Sequence, residues 1–202
     1  MTTSLVNFLL IIIMFIFLIY IMIIMHKRNK KLDITRPVSI VDTAIETRNI
    51  YKVAFNLKTE LKADNIALFR FHNGGHYKNK FAMNRFTCVM EVCTTGMTKP
   101  MQNDYSGVLV ERYAEAMSSL MILDEYPVSN IDFCADPKVR EDAHKYGHKS
   151  IYLFLIRQLN GEPEAFMAVN YHTVTNLTEL DKNKVWMSHN KILNSLNMVK
   201  QK

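Results

Sequence analysis

Residues 150–172 read SIYLFLIRQLNGEPEAFMAVNYH. Two apolar runs, Ser150 to Ile156 and Glu164 to His172, flank the polar segment Gln158-Leu159-Asn160-Gly161-Glu162-Pro163. An Asn-Gly pair between runs of this kind supplies the positive backbone angles of a tight reversal, so the stretch predicts a β-hairpin. Upstream, Asp136-Pro137 is followed ten residues later by Gly147. Asp as N-cap, Pro in the first turn and Gly past the end punctuate a helix. Downstream, Thr178 with Asp181 three residues on resembles a capping box. It opens a helix carrying Val185, Ile192, Leu193, Leu196 and Val199.

Further toward the N-terminus, Thr35-Arg36-Pro37 interrupts the chain, because the residue before proline is pushed out of the helical region. Val41, Ala44, Ile45, Val53, Ala54, Leu57 and Leu61 then mark a helical stripe from Ser39 onward, broken in the middle by Arg48. Such a helix can pack on its own domain or pair with a second chain. Ile66 to His72 reads as a strand, and Asn73-Gly74-Gly75-His76-Tyr77 as the turn after it. Phe86 to Thr95 reads as a second strand closed by Gly96. Strict alternation puts Phe86, Cys88, Met90 and Val92 on one side and Thr87, Val89, Glu91 and Cys93 on the other. Ser106 is placed to cap a helix through Val108, Leu109, Tyr113, Ala116, Met117 and Leu120, and Met121 to Tyr126 reads as a short extended segment. Strands met as hairpins with helices at both ends predict an α+β domain, an antiparallel sheet with helices on one face.

Ahead of this domain stands Leu5 to Met25, LVNFLLIIIMFIFLIYIMIIM, in which only Asn7 and Tyr20 carry polar side-chain atoms. At about 1.5 Å per residue the run measures roughly 31 Å, the thickness of a bilayer's hydrocarbon core. It predicts one transmembrane helix. A cleaved signal peptide would need a basic start, a shorter apolar core and small residues at a cleavage site, and His26-Lys27-Arg28-Asn29-Lys30-Lys31 follows instead. Residues 26 to 36 hold Lys27, Arg28, Lys30, Lys31 and Arg36 against Asp33, which is +4 of the chain's net +6. Basic flanks stay on the cytoplasmic side, so the expected organisation is a short extracytoplasmic segment at 1–4, a span at 5–25, a basic linker at 26–38 and a cytoplasmic domain at 39–202. This places the protein in the inner (cytoplasmic) membrane as a single-pass chain, with Lys27, Arg28, Lys30 and Lys31 at the membrane surface, attracted to anionic headgroups of the lipid bilayer. The body is close to neutral and has no basic stripe interleaved with aromatics, which argues against nucleic acid as a partner. Three cysteines fit a reducing compartment without a disulfide framework.

The order Val139 to Gly147, Ser150 to Ile156, Asn160-Gly161, Ala165 to Tyr171, Thr178 and Leu180 to Val199 resembles the closing half of a GAF domain. There a short helix and glycine lead into strand, glycine turn, strand, capping Thr or Ser and a long helix. The opening helix and the Ala67 to Phe71 strand resemble that family's start, so the likeness spans roughly residues 40 to 200. It implies a GAF-like sensory module that binds a small-molecule ligand or a protein partner, commonly as a homodimer. The chain has no Cys-His dipeptide of the sort that holds a bilin, and no cofactor is assigned. A second, weaker similarity is to the holins of T-even-type phages. It rests on Ala63-Asp64 leading into the Ala67 to Phe71 strand and on the final strand, Thr178 and closing helix. It implies a lysis or membrane-remodelling protein with a globular regulatory domain. Those holins place that domain outside the inner membrane, whereas the flanking charges here place it inside.

Phe71-His72-Asn73-Gly74-Gly75-His76 is the most suggestive local run, since two glycines let backbone amides approach a ligand while His72, Asn73 and His76 supply donors and acceptors. Glu91, flanked by hydrophobes, is costly to bury unless paired, and Asn170 stands between Val169 and Tyr171 in the same way. Tyr105, Phe133 and Tyr152 are candidate pocket-lining residues; in the family resembled, the loop corresponding to the one at Asp132-Phe133-Cys134 borders the pocket. Cys88 and Cys93, five apart on an alternating strand, should face opposite ways, and Gly147 should end the helix between His144 and His148, so no zinc site is expected. No Gly-x-Ser-x-Gly elbow or P-loop is present, and Cys134 with His144 or His148 is the one nucleophile-base pairing left open. The chain is therefore expected not to be an enzyme.

Overall fold

In the computed structural model the stripe after Pro37 forms helix α1, Ile40–Leu61. The structure describes residues 14, 15, 17–22, 40–76, 82–94 and 101–198. The chain divides into two units, 1–40 and 41–202. In the first, residues 14, 15 and 17–22 are helical, and Met14, Phe15 and every residue from Phe17 to Met22 expose 39–69% of their surface. The remainder of the span expected at 5–25, the segment 1–4, the linker 26–38 and Lys27, Arg28, Lys30 and Lys31 lie outside the described residues. Among the described residues, no helix is long and apolar enough to cross a membrane.

The second unit continues with β1 (Asn65–His76), β2 (Ala82–Cys93), β3 (Val108–Leu109), α2 (Ala114–Leu123), β4 (Glu125–Val128), α3 (Pro137–Tyr146), β5 (Ser150–Arg157), β6 (Pro163–Tyr171) and α4 (Glu179–Met198). The six strands form one antiparallel sheet in the order β3-β2-β1-β6-β5-β4. The hairpin at 150–172 closes as its Asn-Gly pair requires, with Gly161 at φ +85° and Arg157 opposite Pro163. Asp136 caps α3 by accepting from Lys138 N and Val139 N, and Gly147 ends it at φ +74°. Thr178 and Asp181 exchange hydrogen bonds at the start of α4. The helix expected from Ser106 is shorter: a two-residue strand and a 3-10 turn at Val110–Tyr113 intervene before α2 begins.

Helices cover both faces of the sheet, which corrects the expectation of helices on one face. Ile50, Ala54, Leu57 and Leu61 of α1 join Val185, Ile192 and Leu193 of α4 over Ile66, Leu68, Phe154, Ile156, Met167 and Val169. On the other face Ala116, Met117 and Leu120 of α2 and Val139, Ala143 and Tyr146 of α3 pack over Phe69, Phe86, Leu153, Leu155, Phe166 and Ala168. The continuous apolar runs within β5 (151–156) and β6 (165–169) carry that information, because a strand exposed on one side alternates whereas one covered on both does not. β5 is buried at every position but the last. Each fully buried Leu, Ile or Phe contributes about 1.5–3 kcal/mol, so the two cores secure the central strands from both sides.

One irregularity redirects β2. Leu68 pairs with Met90 but Phe69 pairs with Cys88, leaving Val89, 40% exposed, as the extra residue of a β-bulge. The bulge inverts the alternation beyond it. Phe86 and Cys88 face α2 and α3, whereas Met90 and Val92 face α1 and α4. The expectation that these four residues share a face is corrected, and Glu91 turns toward the α2/α3 side. A second irregularity lies between Asn73 and His76, so Gly74 and Gly75 interrupt the ladder within β1 where a turn was expected.

Candidate functional site

Between the sheet and the α2/α3 layer lies a cavity of about 50 Å³. Its floor is the aromatic cluster of β1, β2 and β6: Phe69 and Phe166 stack at 4.7 Å, and Phe86 meets both edge-on at 5.7 and 5.2 Å. Ile151 and Leu153 of β5 extend the floor, while Met101, Tyr105, Tyr113, Met117 and residues of α3 form the roof.

At one side of the cavity, Asp142 of α3 gathers three donors. Its Oδ2 accepts from the Tyr105 hydroxyl at 2.8 Å and the Tyr113 hydroxyl at 2.6 Å, and its Oδ1 accepts from Lys138 Nζ at 2.9 Å. Burial pushes both phenols up; at Tyr105 the neighbouring Tyr113 and Asp142 add to it, and at Tyr113 the hydrogen bond to Asp142 does. Both phenols are therefore fixed donors at neutral pH.

Tyr146, Asn170 and His148 contribute the cavity's other polar side chains; the Tyr146 hydroxyl donates to Asp104, and Asn170 and His148 are each 1% exposed. Asn170 Nδ2 donates to Asn65 Oδ1 at 2.9 Å, and Asn65 Nδ2 donates to Glu91 Oε1 at 2.6 Å. Glu91 Oε2 accepts from Gln102 N at 3.2 Å. Asn170 Oδ1 is left buried without a hydrogen-bond partner, and so are both ring nitrogens of His148. The His148 ring stacks between Tyr146 at 5.9 Å and His172 at 5.5 Å. Burial, with a smaller contribution from His172, lowers its pKa to about 4. The imidazole is neutral at pH 7 and offers one N–H and one lone pair.

The residues expected at a site separate into two groups. Tyr105 and Asn170 line the cavity, with Glu91 joined to Asn170 through Asn65. The remainder lie elsewhere. Tyr152 is on the opposite face among α1 and α4 residues, its hydroxyl donating to Thr175 O at 2.5 Å. Phe133 is 85% exposed beside a surface depression at 126–135. His72 and Asn73 are exposed on β1, with His72 Nε2 at 2.9 Å from Thr87 Oγ1; Gly74, Gly75 and His76 follow in the irregular end of the same strand. Sequence reasoning missed Asp142, Tyr113 and Asn65 and weighed His148 only as a metal ligand or a base. For His148 a signal existed, a polar ring between a helix-ending glycine and a strand with a continuous apolar run at 151–156.

Cys88 and Cys93 were expected to diverge, and the Val89 bulge turns both to the cavity side of the sheet. Burial, reinforced by Glu91, raises the Cys88 thiol to about 12 and the Cys93 thiol to about 11, so neither is a thiolate at neutral pH. Cys134 Sγ contacts the Tyr126 hydroxyl and Asp136 O, both at 3.4 Å. Among the described residues, no group of three or more His, Cys, Asp or Glu side chains is placed to hold a metal ion. The arrangement is suited to binding: aromatic walls, fixed donors at one side and unpaired polar atoms beside them.

No family model and no curated protein matches the sequence. Solved structures do. The phycocyanobilin-bound GAF domain from a cyanobacterial phytochrome superposes with a TM-score of 0.56 at 12% identity, covering 74% of this chain and 83% of that one. The fold is GAF-like. A GAF domain region of a protein described as a membrane protein from Geobacter sulfurreducens PCA gives 0.56 at 15% identity, covering 79% and 97%. A domain of a protein described as a two-component sensor histidine kinase from Sinorhizobium meliloti 1021 gives 0.54 at 10% identity, covering 76% and 92%. At these identities the likeness shows the GAF-like fold alone.

Proposed function

We propose that this chain is a single-span, membrane-anchored GAF-like sensory module that binds a small ligand in the α2/α3 cavity and performs no chemistry of its own. One observation carries the ligand reading: Asn170 Oδ1 and both ring nitrogens of His148 are buried at the cavity without hydrogen-bond partners. Leaving such groups unmade costs about 1–3 kcal/mol each, and a ligand that reaches them recovers it. The GAF-like fold supports a sensory role, and one neighbour is described as phycocyanobilin-bound. The anchor reading draws on the charge-free run Leu5 to Met25, on the basic residues after it and on the exposed apolar side chains among 14–22. It places the module beneath the inner leaflet, with Lys27, Arg28, Lys30 and Lys31 against anionic headgroups. A homodimer is part of the same reading, supported by Ile45, Tyr51 and Phe55, which stand about half exposed on α1. No observation favours the lysis-protein alternative.

The test is a thermal-shift screen of the full-length protein in detergent micelles against nucleotides and metabolites. A ligand at a hundred times its dissociation constant adds about 2.7 kcal/mol, roughly 5–10 °C for a domain of this size. No shift from any compound overturns the ligand reading. Topology is read separately with Leu159→Cys in a Cys93→Ser background, since Leu159 is 93% exposed, Cys88 and Cys134 are buried and Cys93 is partly exposed. Labelling by an impermeant reagent in intact cells overturns the cytoplasmic placement.

A further inference from the structure

The cavity's charge and size restrict what it can hold. Asp142 is the sole charged side chain lining it among the described residues, and both of its oxygens are engaged by Tyr105, Tyr113 and Lys138. Among the described residues no arginine or lysine lines it, so a phosphate or carboxylate would enter without a counter-charge, and burying an unpaired charge is prohibitive. An ammonium would find no uncommitted carboxylate. The polar atoms without partners are an acceptor, Asn170 Oδ1, and a neutral imidazole, His148, with one donor and one acceptor. At about 50 Å³ the space is well below the roughly 300 Å³ at which pockets for drug-sized ligands begin. Met101 and Met117 in its wall are flexible thioethers that can yield a little more.

Building on the ligand reading above, we propose that the cavity selects an uncharged, compact molecule of the azole or amide class. Such a molecule donates an N–H to Asn170 Oδ1, exchanges a second hydrogen bond with His148, lies against the Phe69–Phe166 floor, and leaves anions excluded.

Pyrazole fits this description: five non-hydrogen atoms, neutral at pH 7, with a donor and an acceptor side by side. Pyrazole, acetamide, inorganic phosphate, acetate and methylammonium, each at millimolar concentration, are titrated into the full-length protein in micelles at pH 7. Binding is followed by thermal shift and by ring 15N shifts of labelled histidine. Pyrazole or acetamide is expected to raise the transition and to move the His148 ring resonances. His148→Phe, which keeps the stacked ring and removes both nitrogens, should weaken that binding at least tenfold. If that variant does not fold, the His148 resonances of the unaltered chain decide: movement upholds the proposal and none overturns it. Binding of an azole that H148F leaves unchanged overturns the proposed contacts. Preference for phosphate, acetate or methylammonium, lost in H148F, overturns the ligand class while leaving the cavity a ligand site. No response to any probe overturns this proposal alone, since the wider metabolite screen tests the ligand reading independently.

Discussion

Asn170 Nδ2 donates to Asn65 Oδ1 at 2.9 Å, and the direction of that bond is set by a third residue. Glu91 can only accept, so the Asn65 amide must aim its Nδ2 at Glu91 Oε1, 2.6 Å away, and present its oxygen to Asn170. Asn170 must then turn its own oxygen away from Asn65, buried and without a partner. A carboxylate on β2 thus fixes the polarity of an acceptor on β6 through one amide on β1. Glu91→Leu removes the terminus of this relay and leaves Asn65 Nδ2 with only the Cys93 sulfur at 3.2 Å. The expected cost is about 1–3 kcal/mol, read as a lower denaturant midpoint with an unchanged slope. An unaltered midpoint would show that Asn65 is oriented by something other than Glu91.

That relay was invisible in the sequence for a specific reason. Alternation along β2 sets Glu91 opposite Phe86, and a single extra residue, Val89, reverses the assignment. Nothing in FTCVMEVC distinguishes a bulged strand from a regular one, because the pleat's period is two and one insertion shifts every later side chain. Local punctuation fared better. Asp136, Gly147, Gly161 and Thr178 each fix an element boundary through their own backbone geometry or side-chain bonds, so the helix, hairpin and closing helix they bound were legible. Glu91 and Asn170 were legible as polar residues among hydrophobes, and Tyr105 as a pocket-lining candidate. Asp142 was not, since it resembles any acid on an exposed helix face until Tyr105 and Tyr113 converge on it from outside α3.

Asp136 does more than cap its own helix. Its Oδ1 accepts from Lys138 N at 2.9 Å and Val139 N at 3.0 Å, while its Oδ2 accepts from Ala116 N on α2 at 3.0 Å. The residue is 2% exposed and ties together the two helices that roof the cavity. Asp136→Ala loses the cap, about 1 kcal/mol, and strands the buried Ala116 N–H, about 1–3 kcal/mol more. The total, about 2–4 kcal/mol, should appear as a fall in thermal midpoint. Asp136→Asn, which retains the cap oxygen but sets an amide NH2 against the Ala116 N–H, should regain only the cap, about 1 kcal/mol; full recovery would show that the link to α2 contributes nothing to stability.

His148 makes stability depend on pH in a defined direction. Its pKa falls from an ordinary 6.5 to about 4 in the folded chain, chiefly through burial. Between those values the unfolded chain binds the proton and the folded chain does not, so stability rises with pH across the window. The contribution is fully present above pH 6.5, declines as pH falls through that value, and levels off near pH 4 after a loss of about 3 kcal/mol. Carboxylates titrate in the same range, and His148→Phe separates them. The drop in unfolding free energy from pH 7 to pH 4.5 should be smaller in H148F than in the unaltered chain. Equal drops would mean that His148 titrates alike in the folded and unfolded chains.

On the outer side of α1, Tyr51 and Phe55 lie one turn apart with ring centroids 6.5 Å from each other and planes at 18°. They are 48% and 51% exposed, and Ile45 is 52% exposed, while Ile50, Ala54, Leu57 and Leu61 bury the other side against the sheet. The helix therefore buries one apolar stripe against its own domain and leaves a stacked aromatic pair exposed on its outer side. Substituting both Tyr51 and Phe55 with Glu should leave the domain's stability within about 0.5 kcal/mol, as surface changes usually do. The same substitutions should convert a dimer to a monomer by placing like charges in the contact. Sedimentation of the full-length protein in micelles at micromolar concentration reads the outcome. A monomeric unaltered chain, or a variant that keeps the dimer's mass, would assign the outer side of α1 some role other than self-association.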